Sequence, residues 1–194
     1  MARIVGIVGS PRVKGNTEIL VAEALRAAEE DGAETEIIRL AGKRIEPCDD
    51  CRSCMKTGKC GIKDDFKRVF DKMVQADGII LASPVYFGSA TPQIMALVHR
   101  AGLVSSARGR VFENKAGGAL VVARRAGHNF TFAQLLFFFL QQGMIVPGST
   151  YWNIAFGRRK GEVEQDEEGL KTARNFGKKM VWLINRIKDV NRVT

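Results

Sequence analysis

The sequence predicts an α/β protein built on a doubly wound parallel sheet, and three observations predict it. Short apolar runs alternate with stretches of helical periodicity along the chain. The runs are continuous rather than alternating, as expected for strands covered on both faces. Gly, Pro, Ser and Asn punctuate the joints between them. Such alternation calls for right-handed crossovers and places ligands beyond the carboxyl ends of the strands.

Arg3 to Val8 (RIVGIV) is the first strand, and after Gly15-Asn16-Thr17 the positions Leu20, Ala24, Leu25 and Ala28 repeat at helical spacing as far as Gly32. Glu34 to Leu40 reads as strand two. Beyond a cysteine-rich loop at residues 45–63, Asp64 is placed to cap a helix whose Phe66, Val69, Phe70, Met73 and Val74 form one stripe. Gly78 to Ala82 follows as strand three. Thr91-Pro92 opens a helix with Ile94, Leu97 and Val98 inward, Gly117 to Ala123 is strand four, and Asn129 to Gln142 is helical. Met144 to Val146 reads as a short fifth strand. A last helix runs from about Glu168 to Lys188, with Leu170, Ala173, Gly177, Met180, Val181 and Ile184 on one face. Five strands and five helices account for residues 1–194 as one domain.

With 194 residues, 45% hydrophobic and 26% charged, the chain can bury a sizeable core without staples, which excludes collagen-like, disordered and disulfide-scaffold classes. Apolar stretches such as 78–82 and 135–140 fall far short of the roughly 18 to 20 residues of a membrane helix. Ile4 to Val8 is too short for a signal peptide, so the expected compartment is the cytoplasm. The 30 basic and 21 acidic residues leave a net charge of +9, which attracts acidic proteins, nucleic acid or phosphorylated ligands. A basic nucleic-acid-binding module therefore stays open on charge alone. No nucleic-acid module accompanies Arg124-Arg125 or Arg158-Arg159-Lys160, which read as solvated faces.

The loop after strand one, Gly9-Ser10-Pro11-Arg12-Val13-Lys14-Gly15-Asn16-Thr17, sets hydroxyls, an amide and a guanidinium at a helix N-terminus. Free N–H groups and the positive helix end favour an anion there, with Ser10, Arg12, Asn16 and Thr17 as donors. It departs from the G-x4-G-K-[ST] triphosphate loop and from the G-x-G-x-x-G dinucleotide fingerprint, which leaves a mononucleotide phosphate, FMN foremost, or an ordinary capped turn. The loop after strand three, Ser83-Pro84-Val85-Tyr86-Phe87-Gly88-Ser89, offers a stacking face and a close backbone approach at the same edge. Core filling is the alternative fate of its aromatics.

All four cysteines lie between positions 48 and 60, as Cys48-x2-Cys51-x2-Cys54-x5-Cys60. In a reducing compartment such crowding points to a metal rather than to disulfides. A [4Fe-4S] cluster fits the successive x2 spacings; four-thiolate zinc and free or redox-active thiols are the alternatives.

Gly9-Ser10-Pro11-Arg12 with Gly15-Asn16-Thr17, and Ser83-Pro84-Val85-Tyr86-Phe87-Gly88, resemble the NAD(P)H-dependent FMN reductase superfamily of flavodoxin-like proteins. The resemblance extends through Arg124 to Asn129 (RRAGHN) and Gly143 to Gly148. It implies strand order 2-1-3-4-5 with helices on both faces, and FMN held by Ser10, Arg12, Asn16, Thr17, Pro84, Val85, Tyr86, Phe87, Gly88, Arg124, Gly127 and His128. Many relatives carry a second glycine and a Gln-Glu pair where this chain has His128, Asn129 and Phe130, and an Asp where it has His99 before Arg100. His99 is expected to be structural, and His128 to be either a donor beside flavin or a surface loop residue.

Together with the cysteine motif, the chain is similar to the iron-sulfur flavoproteins, a branch of that superfamily. The resemblance implies a cluster on Cys48, Cys51, Cys54 and Cys60 that receives electrons from a ferredoxin-like donor, here an acidic one attracted by the +9 charge, and passes them to FMN within an oligomer. The rival is an NAD(P)H-dependent FMN or quinone reductase without a functional cluster. Helix 129–142 is apolar nearly all round, which asks for cover by a partner subunit in a dimer or tetramer, or by the chain's own C-terminal segment.

Overall fold

A computed structural model describes residues 1–193, with side chains described to residue 190. Its strands are β1 (Arg3–Val8), β2 (Glu34–Arg39), β3 (Gly78–Pro84), β4 (Ala116–Ala123) and β5 (Ile154–Phe156). They pair in parallel in the order β2-β1-β3-β4-β5, the flavodoxin-like order that the resemblance implies. The helices are α1 (Asn16–Glu30), α2 (Ser53–Thr57), α3 (Phe66–Gln75), α4 (Pro92–Ala107), α5 (His128–Gln141) and α6 (Glu167–Val193). Five match the expected helices, and α2 is an added turn of helix within the cysteine loop. Among the described residues no helix is long and apolar enough to cross a membrane.

The fifth strand corrects the expectation. Met144 to Val146 is not a strand: Ile145 makes only an isolated bridge to Ala116, its N–H donating to Lys115 O at 2.9 Å. Pro147 has no N–H with which to continue the ladder, so the chain leaves the edge there. It returns at Asn153, whose carbonyl accepts from Val121 N at 3.0 Å, and Ile154–Phe156 then pairs with Val121–Ala123. The return sets Phe156 and Gly157 at the carboxyl end of the sheet, next to β1 and β4 loops that carry polar groups.

Each face of the sheet has its own core. Phe66, Phe70, Met73, Ile94, Leu97 and Phe139 lie in one, and Leu20, Val21, Leu25, Phe176, Met180 and Ile184 in the other. The Lys115 Nζ donates to Val74 O and Ala76 O at 2.5 and 2.6 Å, satisfying carbonyls at the end of α3. On the opposite face α6 crosses α1 so closely that a Cβ at Gly177 would stand 1.9 Å from Ala24 O.

That contact reverses the usual sign of a helix substitution. Replacing Gly by Ala inside a helix ordinarily stabilises by about 1 kcal/mol. In Gly177→Ala the methyl group must force α1 and α6 apart, an overpacking cost of about 1 to 3 kcal/mol or more. Urea unfolding should show a lower midpoint than wild type; an equal or higher one would mean that the two helices separate freely.

Candidate functional site

At the carboxyl edge of the sheet, Ser10, Arg12, Asn16, Thr17, Pro84, Val85, Tyr86, Val122, Ala123, Arg124, Gly157 and Arg158 line one cleft. It is an open cleft of about 600 Å³ including the space open to solvent. Two polar seams hold its walls together. Gly9 N donates to Ala82 O at 2.7 Å and Thr91 Oγ1 donates to Gly9 O at 2.7 Å, locking the first loop to β3 and α4. Ser83 Oγ accepts from Thr91 N at 3.0 Å and donates to Pro84 O at 2.8 Å.

Within the first loop, Ser10 Oγ accepts from Arg12 N at 3.1 Å, which leaves its own proton for a ligand. Thr17 is buried at the first turn of α1, beside N–H groups that have no partner inside the helix. Glu18 is buried as well, and its Oε2 accepts from Lys14 N at 2.8 Å. Burial would raise its pKa, but Arg39 and the Lys14 N–H hold it below the ordinary value. Asn16 lines the cleft with its amide already engaged: Nδ2 donates to Arg159 O and Oδ1 accepts from Gly161 N, both at 2.8 Å. Its role is to seat the segment after β5, which brings Arg158 to the cleft; Arg12 Nη1 donates to Arg158 O at 3.2 Å.

Three arginines and no carboxylate therefore line the cleft, a field suited to a phosphate. Arg158, Gly157, Val122 and Ala123 are the members that sequence reasoning did not find. Arg158 belongs to a basic run read as a solvated face, and only the late return of β5 brings it here.

Not every expected residue reaches the cleft lining. Tyr86 and Ser89 exchange backbone hydrogen bonds at 2.8 and 3.0 Å, so Phe87 and Gly88 form a two-residue turn with φ of +50° and +80°. Phe87 stands fully exposed at its tip. Gly127, with φ +92°, lies against this loop, and a Cβ there would be 2.7 Å from Val85 Cγ1 and 3.3 Å from Gly88 Cα. His128 is neither a surface residue nor part of the lining: it is buried at the start of α5, with Nε2 3.1 Å from Ala155 O and its ring 4.6 Å from that of Phe156. His99, expected to be structural, is exposed on α4; its neighbour Arg100 is the buried one.

The four cysteines, free of disulfides, line a second pocket together with Asp49, Asp50, Arg52, Gly61, Ile62 and Arg100. Local backbone is bent tightly around it, with Asp50 and Arg52 at φ +54° and +57°. Gly61 packs closely on Ser53, since a Cβ there would stand 3.0 Å from Ser53 Oγ. Asp64 closes the base of the loop: its carboxylate accepts from Glu46 N at 2.8 Å and Phe66 N at 3.0 Å, and from Arg100 Nη1 and Nη2 at 2.6 and 2.9 Å.

No three His, Cys, Asp or Glu groups among the described residues converge as ligands of one ion. A single zinc would need its sulfurs gathered within about 2.3 Å of one point. A cubane instead binds each thiolate at a separate iron, so its four ligands stand around a body, as these four stand around one pocket. The donor set, four thiols around one pocket, fits such a cluster.

Fold and cleft together define a flavodoxin-like protein with an arginine-lined cleft at the switch edge of its sheet. Residues 2–159 match the NADPH-dependent FMN reductase family. An iron-sulfur flavoprotein of Methanocaldococcus jannaschii is 44% identical over 96% of this chain and 99% of its own length. Another from Archaeoglobus fulgidus is 35% identical over 96% and 100%. Among solved structures, RosB with a bound 8-demethyl-8-formylriboflavin-5'-phosphate intermediate superposes with a TM-score of 0.80 at 19% identity, over 100% of this chain and 83% of that one. The chain belongs to the NADPH-dependent FMN reductase family, in its iron-sulfur flavoprotein branch, and is a flavin-dependent oxidoreductase.

The buried His128 carries a pH consequence. Burial holds its pKa below the usual 6.5, against the opposing effects of Ala155 O and Asp166. The unfolded chain thus takes up a proton that the folded one resists, and stability present above pH 6.5 is lost as pH falls below it. Urea midpoints should decline from pH 7 to 5.5 in wild type and much less in His128→Gln; parallel declines would assign the effect to other groups.

Proposed function

We propose that the chain is an electron-transfer flavoprotein that carries FMN in the sheet-edge cleft and a [4Fe-4S] cluster on Cys48, Cys51, Cys54 and Cys60. The observation that carries this reading is the pairing, in one chain, of an arginine-lined cleft at the α1 N-terminus with a pocket ringed by the four cysteines. The names of the curated relatives and the flavin phosphate in RosB support it. A cluster takes electrons singly and FMN holds one or two, so the pair joins a one-electron donor to a two-electron acceptor.

The chain's own groups supply binding and orientation. Ser10 and Thr17 hydroxyls, α1 N–H groups and Arg12 hold the phosphate, with Arg158 beside it. Pro84, Val85 and Tyr86 give the flavin ring an apolar wall, and Arg124 and Gly127 border its polar edge. The donor is an acidic, ferredoxin-like protein drawn by the +9 charge. The assembly is at least a dimer: α5 buries Leu135, Phe138 and Phe139 but leaves Phe130 80%, Phe137 68% and Leu140 62% exposed, a face that a second copy would cover.

Arg12→Ala combined with Thr17→Ala should weaken FMN, each contact being worth on the order of 1 to 3 kcal/mol. Flavin fluorescence titration would read this as a loss of tenfold or more, and unchanged affinity would put the phosphate elsewhere. Anaerobic preparation should yield about four irons per chain. Metal analysis showing one zinc and no iron would leave the flavin reductase reading in place and remove the cluster.

A further inference from the structure

The cysteines differ in their surroundings. Cys48 and Cys51 are exposed, whereas Cys60 is partly buried and its Sγ accepts from Arg100 Nε at 3.3 Å and Nη2 at 3.2 Å. Arg100 is 1% exposed on the inner face of α4. Its other donor contacts go to both Asp64 oxygens, to Glu46 O at 3.0 Å and to Ile62 O at 3.3 Å, and its guanidinium carbon stands 4.2 Å from the centre of the Phe66 ring. The guanidinium cannot turn from the sulfur without leaving a buried carboxylate unpaired, so Cys60 faces a fixed cation. Hydrogen bonds to sulfur and a nearby positive charge both favour the more negative state of a thiolate-held centre.

We propose that Arg100 is a positioning residue for Cys60, which fixes that ligand for the [4Fe-4S] cluster and raises the cluster's reduction potential through two N–H···S bonds. The inference rests on the cluster reading given under Proposed function. One electron from the acidic donor adds one negative charge to the cluster, with no bond made or broken. The guanidinium stabilises the reduced form more than the oxidised one. The Asp64 carboxylate offsets part of that field, so removing its charge acts in the opposite direction to removing the guanidinium fork.

The test uses wild type, Arg100→Lys and Asp64→Asn made anaerobically, with bound FMN and circular dichroism as checks of folding. Lysine keeps a cation for Asp64 but cannot reproduce the fork on sulfur. Iron content and a potentiometric titration followed by electron paramagnetic resonance are then read on each. In Arg100→Lys the ratio of reduced to oxidised cluster at a given potential should fall about tenfold, a midpoint lower by about 59 mV for one electron. Asp64→Asn should move the midpoint upward. Iron retained with both midpoints unmoved overturns the role of Arg100 alone, while wild type without iron overturns the cluster reading and this proposal with it.

Should either variant fail to fold, pulsed resonance of the reduced cluster in otherwise native protein labelled with nitrogen-15 arginine gives the answer. Arg52, which is exposed and paired with Asp50, is replaced by lysine there to remove its signal. A guanidinium nitrogen coupling supports the proposal, and its absence overturns it.

Discussion

The buried ion pair between Arg100 and Asp64, each side chain 1% exposed, ties the cysteine loop to the sheet scaffold. Withdrawing two charges from water costs several kcal/mol per ion, and such a pair is tolerable only when its remaining donors and acceptors are matched. Here they are. The carboxylate takes two guanidinium bonds and two backbone N–H groups, and the guanidinium reaches two carbonyls and a sulfur besides. Burial would raise the Asp64 pKa, yet Arg100 and the Glu46 and Phe66 N–H groups hold it below 3.8. The anchoring is therefore complete at neutral pH and is lost only as acid approaches that lowered value. Loss of one partner leaves a buried charge uncompensated, a cost of about 3 to 5 kcal/mol.

The same helix serves both candidate sites. At its start, Thr91 holds the phosphate-side loop through Gly9 O, and eight residues after Pro92 stands Arg100. At 1.5 Å per residue Thr91 and Arg100 are roughly 13 to 14 Å apart along α4. A packed helix is stiff on that scale, so the cleft and the cysteine pocket keep a fixed relation. Both redox groups of the proposed function would then be held by one rigid element rather than by two loops moving independently.

The distribution of charge has a local meaning beyond its sum. Arg12, Arg124 and Arg158 converge at the cleft, and Lys59, Lys63, Lys67 and Arg108 border the groove that shares Cys60, Ile62 and Val104 with the cysteine pocket. Salt screens exposed charges over about 8 Å at physiological strength, so clusters of this kind act on what approaches them rather than on each other across the molecule. Arg108 also lies 5.6 Å from the Phe70 ring centre, which seats its long side chain on apolar surface while the charge stays at the rim.

Periodicity carried four of the five strands and five of the helices, because each depends on residues close together in the chain. The run Ile94, Leu97, Val98 shows where α4 turns inward, and Arg100 three residues after Leu97 signals a charge on the buried side. That its partner is Asp64, 36 positions earlier, is a matter of how α4 packs on the loop. Likewise β5 at Ile154–Phe156 and Arg158 in the cleft follow from where a chain interrupted by Pro147 can rejoin β4. The burial of His128 follows from the same return, which sets Ala155 O and Phe156 over its ring. Local residue patterns thus suffice for most helices and strands. Which distant groups meet is settled by packing and desolvation across long separations, which leave no local pattern to read.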